Sequence, residues 1–175
     1  GVHMHRAGVD LLALVEPRQL PALFEKLYAL IDGYGLSCSF RKSFVPSELK
    51  EKYVKTYYAH YNKEAYLQLR ADFNESHDLL ILYLLLIYGF NHMIRFNGAG
   101  KFNLPVGNVD FNKNVYEAIC HYLNFMERND VSFYNLDFAS FVDRIQLDED
   151  SYVYFDQPYL ISGSEYNKHW SRAEE

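Results

Sequence analysis

One Trp, two Cys, five Pro and no excess of basic charge are the scarcities of this 175-residue sequence. Cys38 and Cys120 lie far apart, with no CxxC and no metal-ligand spacing. Two reduced thiols in a cytoplasmic protein are therefore expected, rather than a disulfide or a zinc site. The net charge of −6 excludes a generic nucleic-acid coat, which carries a basic balance, although local basic patches remain compatible with it. Long apolar runs are missing too. The longest, Leu79 to Ile87, is interrupted only by Tyr83, and a membrane span needs about 20 apolar residues, so a buried core helix is expected there instead. Gly1 to Arg6 are polar and lead into no apolar segment of the signal-peptide kind, and Met4 is a candidate start residue.

What is abundant is aromatic: 16 Tyr and 13 Phe, a density that serves a core, an interface or a base-stacking surface equally well. The balance of 49% hydrophobic and 23% charged residues is that of a globular chain, and the length fits one domain with an insertion. Two basic clusters occur, Arg41 and Lys42 with Lys50, Lys52 and Lys55, and Arg95 with Lys101. On charge alone each reads as a solvated helix or loop face.

Leu20, Leu23, Phe24, Leu27, Leu30 and Ile31 recur at helical spacing, and Gly33 reads as the stop. Pro46-Ser47 opens a second helical stretch. Tyr66, Leu69, Arg70 and Phe73 mark a third helix ending near Asn74, and Ser76 is the expected N-cap of an apolar helix from His77 to Ile87. Residues 89–112 are rich in Asn and Gly, and read as turns with short strands. Val115, Ala118, Ile119, Tyr122, Leu123 and Met126 restore a helical face. A strand is expected at 131–136. Asp137 is the expected cap of a helix with Phe138, Phe141, Val142 and Ile145 on its inner face, and a second strand is expected at 152–155. Alternating helix and strand in the last third imply a parallel α/β sheet, and ligands bind beyond the carboxyl ends of such strands. Asp156-Gln157-Pro158-Tyr159 stands at one of those ends.

Three ordered blocks carry a family resemblance. They are Tyr66 to Asn74; Tyr88 to Gly107, with Asn91, Arg95, Asn97, Gly98, Gly100, Lys101, Asn103 and Pro105; and Phe133 to Phe138 followed by Val153 to Tyr159 and by Tyr166, Asn167 and Trp170. In order and spacing the chain from about Leu20 onward resembles the Dam-like DNA-adenine methyltransferases. The resemblance implies an α/β fold, a partial Rossmann-like methyltransferase sheet with a mainly helical target-recognition insert. Residues 1–32 would be the remnant of an N-terminal catalytic-domain helix, 33–112 the insert, and 113–175 the α/β catalytic portion. It implies double-stranded DNA as substrate, S-adenosylmethionine as methyl donor, the adenine exocyclic amine as acceptor, and no metal and no membrane. A GATC-type site is the first expectation.

Residue by residue, the resemblance gives Asp156 the carboxylate that draws on the amine N–H groups and a cofactor contact. The backbone carbonyl near Pro158 would be a second acceptor, and Tyr159 the ring that stacks on the flipped base. Stacking of this kind contributes about 1–3 kcal/mol per base. Arg95 is the leading candidate to read a base, Asn97 and Asn103 either read bases or satisfy turn backbone, and Lys101 would touch phosphate.

Three departures from the family pattern carry expectations. The lysine-bearing segment, the glycine-rich cofactor loop and the acidic ribose ligand are not found ahead of Leu11-Leu12-Ala13-Leu14. Trp170 to Glu175 resembles the entry to the next helix, where the sequence stops, and a sheet lacking its first and last strands would expose edges that favour a homo-oligomer or a complementing chain. Gln157 stands where the family has proline, which removes a constraint on the turn that aims Asp156. Weakened activity is expected, with reversion Gln157→Pro raising the rate once a cofactor half is supplied. Three readings stay open: an impaired or split adenine methyltransferase, a non-catalytic DNA-binding remnant, and an oligomer-forming relic.

Overall fold

A ten-residue helix with the sequence LLILYLLLIY has no polar side to turn toward water, so other elements must surround it. In the computed structural model, which describes residues 20–155, this helix is α4 (Leu79–Tyr88), and Ile81, Leu82, Leu84, Leu85, Ile87 and Tyr88 are all buried. It is packed by α1 (Leu20–Tyr34) and by α3 (Tyr57–Ser76), which also touch each other. α2 (Ser47–Lys52) rests on α3, and α5 (Lys113–Arg128) follows a long irregular segment. Two single-turn 3-10 helices lie at Ser39–Arg41 and Phe90–His92.

α1 turns Leu23, Phe24, Leu27 and Ile31 inward, as its spacing requires. Its stop is Gly35 rather than Gly33. Gly35 has φ +71°, its N–H donates to Asp32 O (3.1 Å), and Leu36 N–H donates to Ile31 O (3.0 Å). That pair of bonds is the left-handed glycine cap in which a hydrophobic residue beyond the turn packs back on the helix, and Ile31 and Leu36 are both buried.

α3 begins nine residues before Tyr66 and buries Asn62, Tyr66, Leu69 and Phe73 along one stripe. His77, at φ +56°, closes it with a bond to Phe73 O (2.8 Å). The cap of α4 is Asp78, whose Oδ1 accepts from Leu80 N (2.8 Å) and Ile81 N (3.1 Å). Ser76, expected in that role, instead donates to Asp72 O (2.8 Å) and accepts from Asp78 N (3.2 Å), shaping the turn between the helices. A carboxylate is the stronger acceptor for two helix-end N–H groups, and Asp78 stands adjacent to them.

Between α1 and α3 the chain passes through the interior, and its polar groups are satisfied in pairs. Ser37 N–H donates to Asn62 Oδ1 (2.8 Å), Asn62 Nδ2 donates to Ser37 Oγ (3.0 Å), and Tyr88 Oη donates to Ser37 O (2.7 Å). Asn62, Ser37 and Tyr88 are fully buried. Asp110 is buried beside them and accepts from Ser39 N (2.6 Å) and Ser39 Oγ (2.9 Å), while burial pushes its carboxyl above the usual carboxylate range.

Residues 20–133 form one compact unit, and 134–155 belong to a second. The divisions expected after 32 and after 112 both fall inside the first unit, because α1 and α5 bury apolar faces against the same core as the segment between them. In the second unit Asp137 accepts from Ser140 N (3.0 Å) and caps α6 (Phe138–Arg144), as expected. Tyr134 lies 5.6 Å from Phe141, and Arg144 lies 5.4 Å over the Tyr134 ring. None of the α6 residues is buried. No strand occurs among the described residues; 131–136 and 152–155 carry no ladder partner there, and pairing is what makes an extended segment a strand. No described helix is long and apolar enough to cross a membrane.

The Ser37–Asn62 exchange generates the first prediction. Asn62→Ala removes both bonds, leaving the buried Ser37 N–H unpaired and its hydroxyl without the amide it accepts from, so urea unfolding should register a loss of about 1–3 kcal/mol. A loss under about 0.5 kcal/mol would mean that water reaches Ser37.

Candidate nucleic-acid interface

Residues 89–107 leave the end of α4, run outward and return to it. At the root, Gly89 bridges Val106, Gly107 N–H donates to Tyr88 O (2.7 Å), and Phe90 N–H donates to Pro105 O (3.0 Å). This approach requires glycine on both segments. A Cβ on Gly89 would lie 2.4 Å from Leu85 O and 2.7 Å from a Leu104 methyl, and one on Gly107 would lie 2.6 Å from Gly89 O. On the outgoing segment Asn91 and His92 hold φ of +52° and +53°, a left-handed pair that turns the chain out of the helix.

The outward part is a hairpin. Asn103 N–H donates to Arg95 O (3.0 Å), Phe96 bridges Phe102, and Asn97 N–H donates to Lys101 O (2.9 Å). The turn closes with Gly100 at φ +73° donating to Asn97 O (2.9 Å). Its inner side is fixed by α3: Phe73 and Phe102 meet edge to face at 5.8 Å, and Phe96 and Phe102 at 5.6 Å. Asn74 clasps the Phe102 backbone in both directions, accepting from its N–H (2.7 Å) and donating to its carbonyl (3.0 Å). Arg70 donates to Leu104 O (3.2 Å).

The four candidate DNA residues are thus brought together on one hairpin. Arg95 is exposed and already shaped: Nε donates to Asn103 Oδ1 (2.9 Å) and Nη2 to Asn103 O (2.7 Å). A guanidinium has five N–H donors, so three remain to reach outward. The Oδ1 of Asn97 accepts from Ala99 N and Lys101 N, both 3.0 Å, which makes it a turn former in this state. The Asn103 side chain holds Arg95. Lys101 is exposed at the tip.

Sequence reasoning placed Arg70 and Asn74 on the third helix and in the first block of the resemblance, but gave neither a contact with the hairpin. Their signal was faint: polar residues four apart on a helix, beside the apolar stripe of Tyr66, Leu69 and Phe73. Asp156, Pro158 and Tyr159, with Gln157 between, lie outside the described residues. No cluster of three or more His, Cys, Asp or Glu that could hold a metal ion occurs among the described residues. A cavity of about 350 Å³ between α4 and α5, lined in part by Tyr83, Ile87, His92 and Tyr122, is mainly apolar and contains none of the hairpin's candidate residues.

The helices thus carry a hairpin held by Asn74 and Arg70, with Arg95, Asn97 and Lys101 at its exposed end. Comparison with known proteins is specific: the profile of the D12 class N6 adenine-specific DNA methyltransferases matches residues 35–172, and the chain belongs to that family. It is 37% identical over 106 residues to the modification methylase LlaI of Lactococcus lactis subsp. lactis, a match covering 60% of this chain and 17% of that protein. It is 31% identical over 122 residues to the type II methyltransferase M.FokI of Planomicrobium okeanokoites, covering 65% and 19%. With the DNA adenine methylase of Escherichia coli K12 it shares 35% over 102 residues, covering 55% and 34%. The chain thus matches between about a sixth and a third of the length of these relatives.

Two predictions follow from the root and its buried acid. Gly107→Ala must displace the Gly89 backbone and should cost about 1–3 kcal/mol in denaturant unfolding, with backbone NMR shifts spreading through 89–107; an unperturbed hairpin would contradict the packing. Asp110 has a raised folded-state pKa, so its protonated form is the one the fold favours. Its stabilising contribution is present below the unfolded pKa and is lost as pH rises through the folded value. Asp110→Asn should therefore flatten the decline of stability above the ordinary carboxylate range, measured as melting temperature against pH.

Proposed function

We propose that this chain works as part of a site-specific DNA-adenine methyltransferase, in which the 95–103 hairpin enters a groove of double-stranded DNA and the Asp156-Gln157-Pro158-Tyr159 motif acts on the adenine. The observation that carries the reading is the hairpin itself: its guanidinium is preset by Asn103 and its base is clasped by Asn74 and Arg70, within a chain of the D12 family. A pre-ordered arginine loses less rotamer freedom on contact, and a bidentate pair with guanine discriminates by about 1–3 kcal/mol.

On this reading Lys101 holds a phosphate, while Asn97 and Asn103 keep the loop and the arginine in shape and read bases only where a bond is exchanged. The relatives are named as DNA adenine methylases and modification methylases, which supports adenine as the target and a place in restriction and modification. S-adenosylmethionine would supply the methyl group; Asp156 carries the contact assigned to it, and among the described residues none is assigned to that cofactor. Asp156 and the carbonyl near Pro158 would accept the amine protons, and Tyr159 would stack on the flipped ring. Residues 113–175 would then belong to a partial Rossmann-like α/β sheet, and 33–112 to the recognition insert. The isolated chain is impaired or inactive on this reading, and a homo-oligomer or a complementing chain would complete it as a split enzyme. The second reading, a DNA-binding remnant without catalysis, is favoured by a hairpin held by Arg70, Phe73, Asn74 and Tyr88, all ahead of the Asp156 motif.

Fluorescence anisotropy against a panel of duplexes tests the recognition. Arg95→Ala should lose about 5- to 150-fold in affinity for the preferred duplex, with little change for the others. Equal loss on all duplexes would make Arg95 a phosphate contact. Titration calorimetry with S-adenosylmethionine, with and without duplex, then separates enzyme from remnant: saturable heat and label transfer to adenine support the first, and DNA binding alone supports the second.

A further inference from the structure

The basic cluster ahead of α3 has more structure than a solvated face. Residues 41–55 hold five cations, Arg41, Lys42, Lys50, Lys52 and Lys55, against two carboxylates, Glu48 and Glu51, in a chain whose net charge is −6. Arg41 is taken up by Asp32 (2.8 Å) and by the Tyr28 ring (4.8 Å). The four lysines have no carboxylate partner among the described residues. Three aromatic rings position two of them instead: the Lys50 ammonium lies 5.6 Å from the Phe44 ring centre and 5.8 Å from that of Tyr57, and Lys52 lies 5.1 Å from Tyr53. Tyr53 in turn stacks on His60 at 3.6 Å. Phe44 is 58% exposed, although it is a large apolar side chain.

This face is tied to the hairpin root. The first N–H groups of α3 receive no cap from the adjacent Thr56. Asn108, the residue after Gly107, supplies it from a distance: its Oδ1 accepts from Tyr58 N (3.1 Å) and Ala59 N (3.2 Å), and its Nδ2 donates to Lys55 O (2.6 Å). One asparagine therefore links the end of the lysine cluster to the strand that returns from the hairpin.

We propose that Lys42, Lys50, Lys52 and Lys55, with Phe44, Tyr53 and Tyr57, form a second DNA contact that grips the phosphate backbone without reading sequence. An island of unpaired ammonium groups in an acidic protein matches a polyanion. Ring faces beside ammonium groups keep the lysines extended at the surface rather than folded onto their own helix. Backbone contacts of this kind set orientation and register, whereas base-edge contacts set specificity. The inference rests on the reading of the chain as DNA-directed and adds a distinct surface to it.

The test uses the full chain and the triple variant Lys50→Gln, Lys52→Gln, Lys55→Gln, titrated by anisotropy with a preferred and an unrelated duplex between 50 and 200 mM salt. Glutamine removes the charge and keeps a polar side chain one atom shorter, and an unchanged circular dichroism melt confirms the fold. Affinity should fall by the same factor on both duplexes. The slope of log affinity against log salt should become shallower by about 2–3, at about 0.9 per phosphate released. An unchanged slope, or a loss confined to the preferred duplex, overturns the second contact while leaving the hairpin reading intact. Failure of the unaltered chain to bind either duplex would overturn both.

Discussion

The encased helix α4 is the constraint from which the rest of the fold follows. Ten residues without a polar side cannot rest on a surface, so α1 and α3 must flank it, and the segments before and after must return over it. A Leu of this kind contributes about 1.5–3 kcal/mol when fully buried, and Leu82, Leu84 and Leu85 are each fully buried. The cost is polar: the backbone around Ser37 is carried inside with the apolar groups, and it is stable there only because Asn62 and Tyr88 complete its hydrogen bonds. The buried polar atoms thus lie beside the leucines for a reason. They are the return path of the chain.

The same helix decides where the hairpin stands. Its carboxyl end is closed by Gly107 N–H on Tyr88 O, so the hairpin springs directly from the buried end of the encased helix. Asn74 and Arg70 then fix the inner strand from α3, with Phe73 against Phe102 between them. A loop on a flexible tether would have to be ordered at every binding event. One held at its root and along one strand presents Arg95 with much of that ordering already done.

Helix existence was legible from periodicity because a helix that buries one side repeats its apolar residues at fixed spacing. Leu23, Leu27 and Ile31, then Tyr66, Leu69 and Phe73, fall on core faces as the pattern requires. Ends were less legible. Gly33 was the expected stop of α1, yet Gly35 is the one that takes positive φ and brings Leu36 back against Ile31. Ser76 was the expected cap of α4, and Asp78, adjacent to the free N–H groups, serves instead. The strands expected at 131–136 and 152–155 follow from β-forming composition, but a strand is a relation to a neighbour, and none is paired among the described residues.

The sequence by itself determined the family, the order of the helices, the central place of the Leu79–Ile87 run and the hairpin residues worth naming, because each depends on local pattern or on ordered motifs. Tertiary structure alone decided that Asn97 shapes a turn, that Asn103 holds Arg95, and that Asn108 caps a helix about fifty positions earlier in the chain. An asparagine looks the same in each of these roles. Its use is set by which backbone groups the fold leaves unpaired within about 3 Å of its amide, and that distance exists only once the chain has packed.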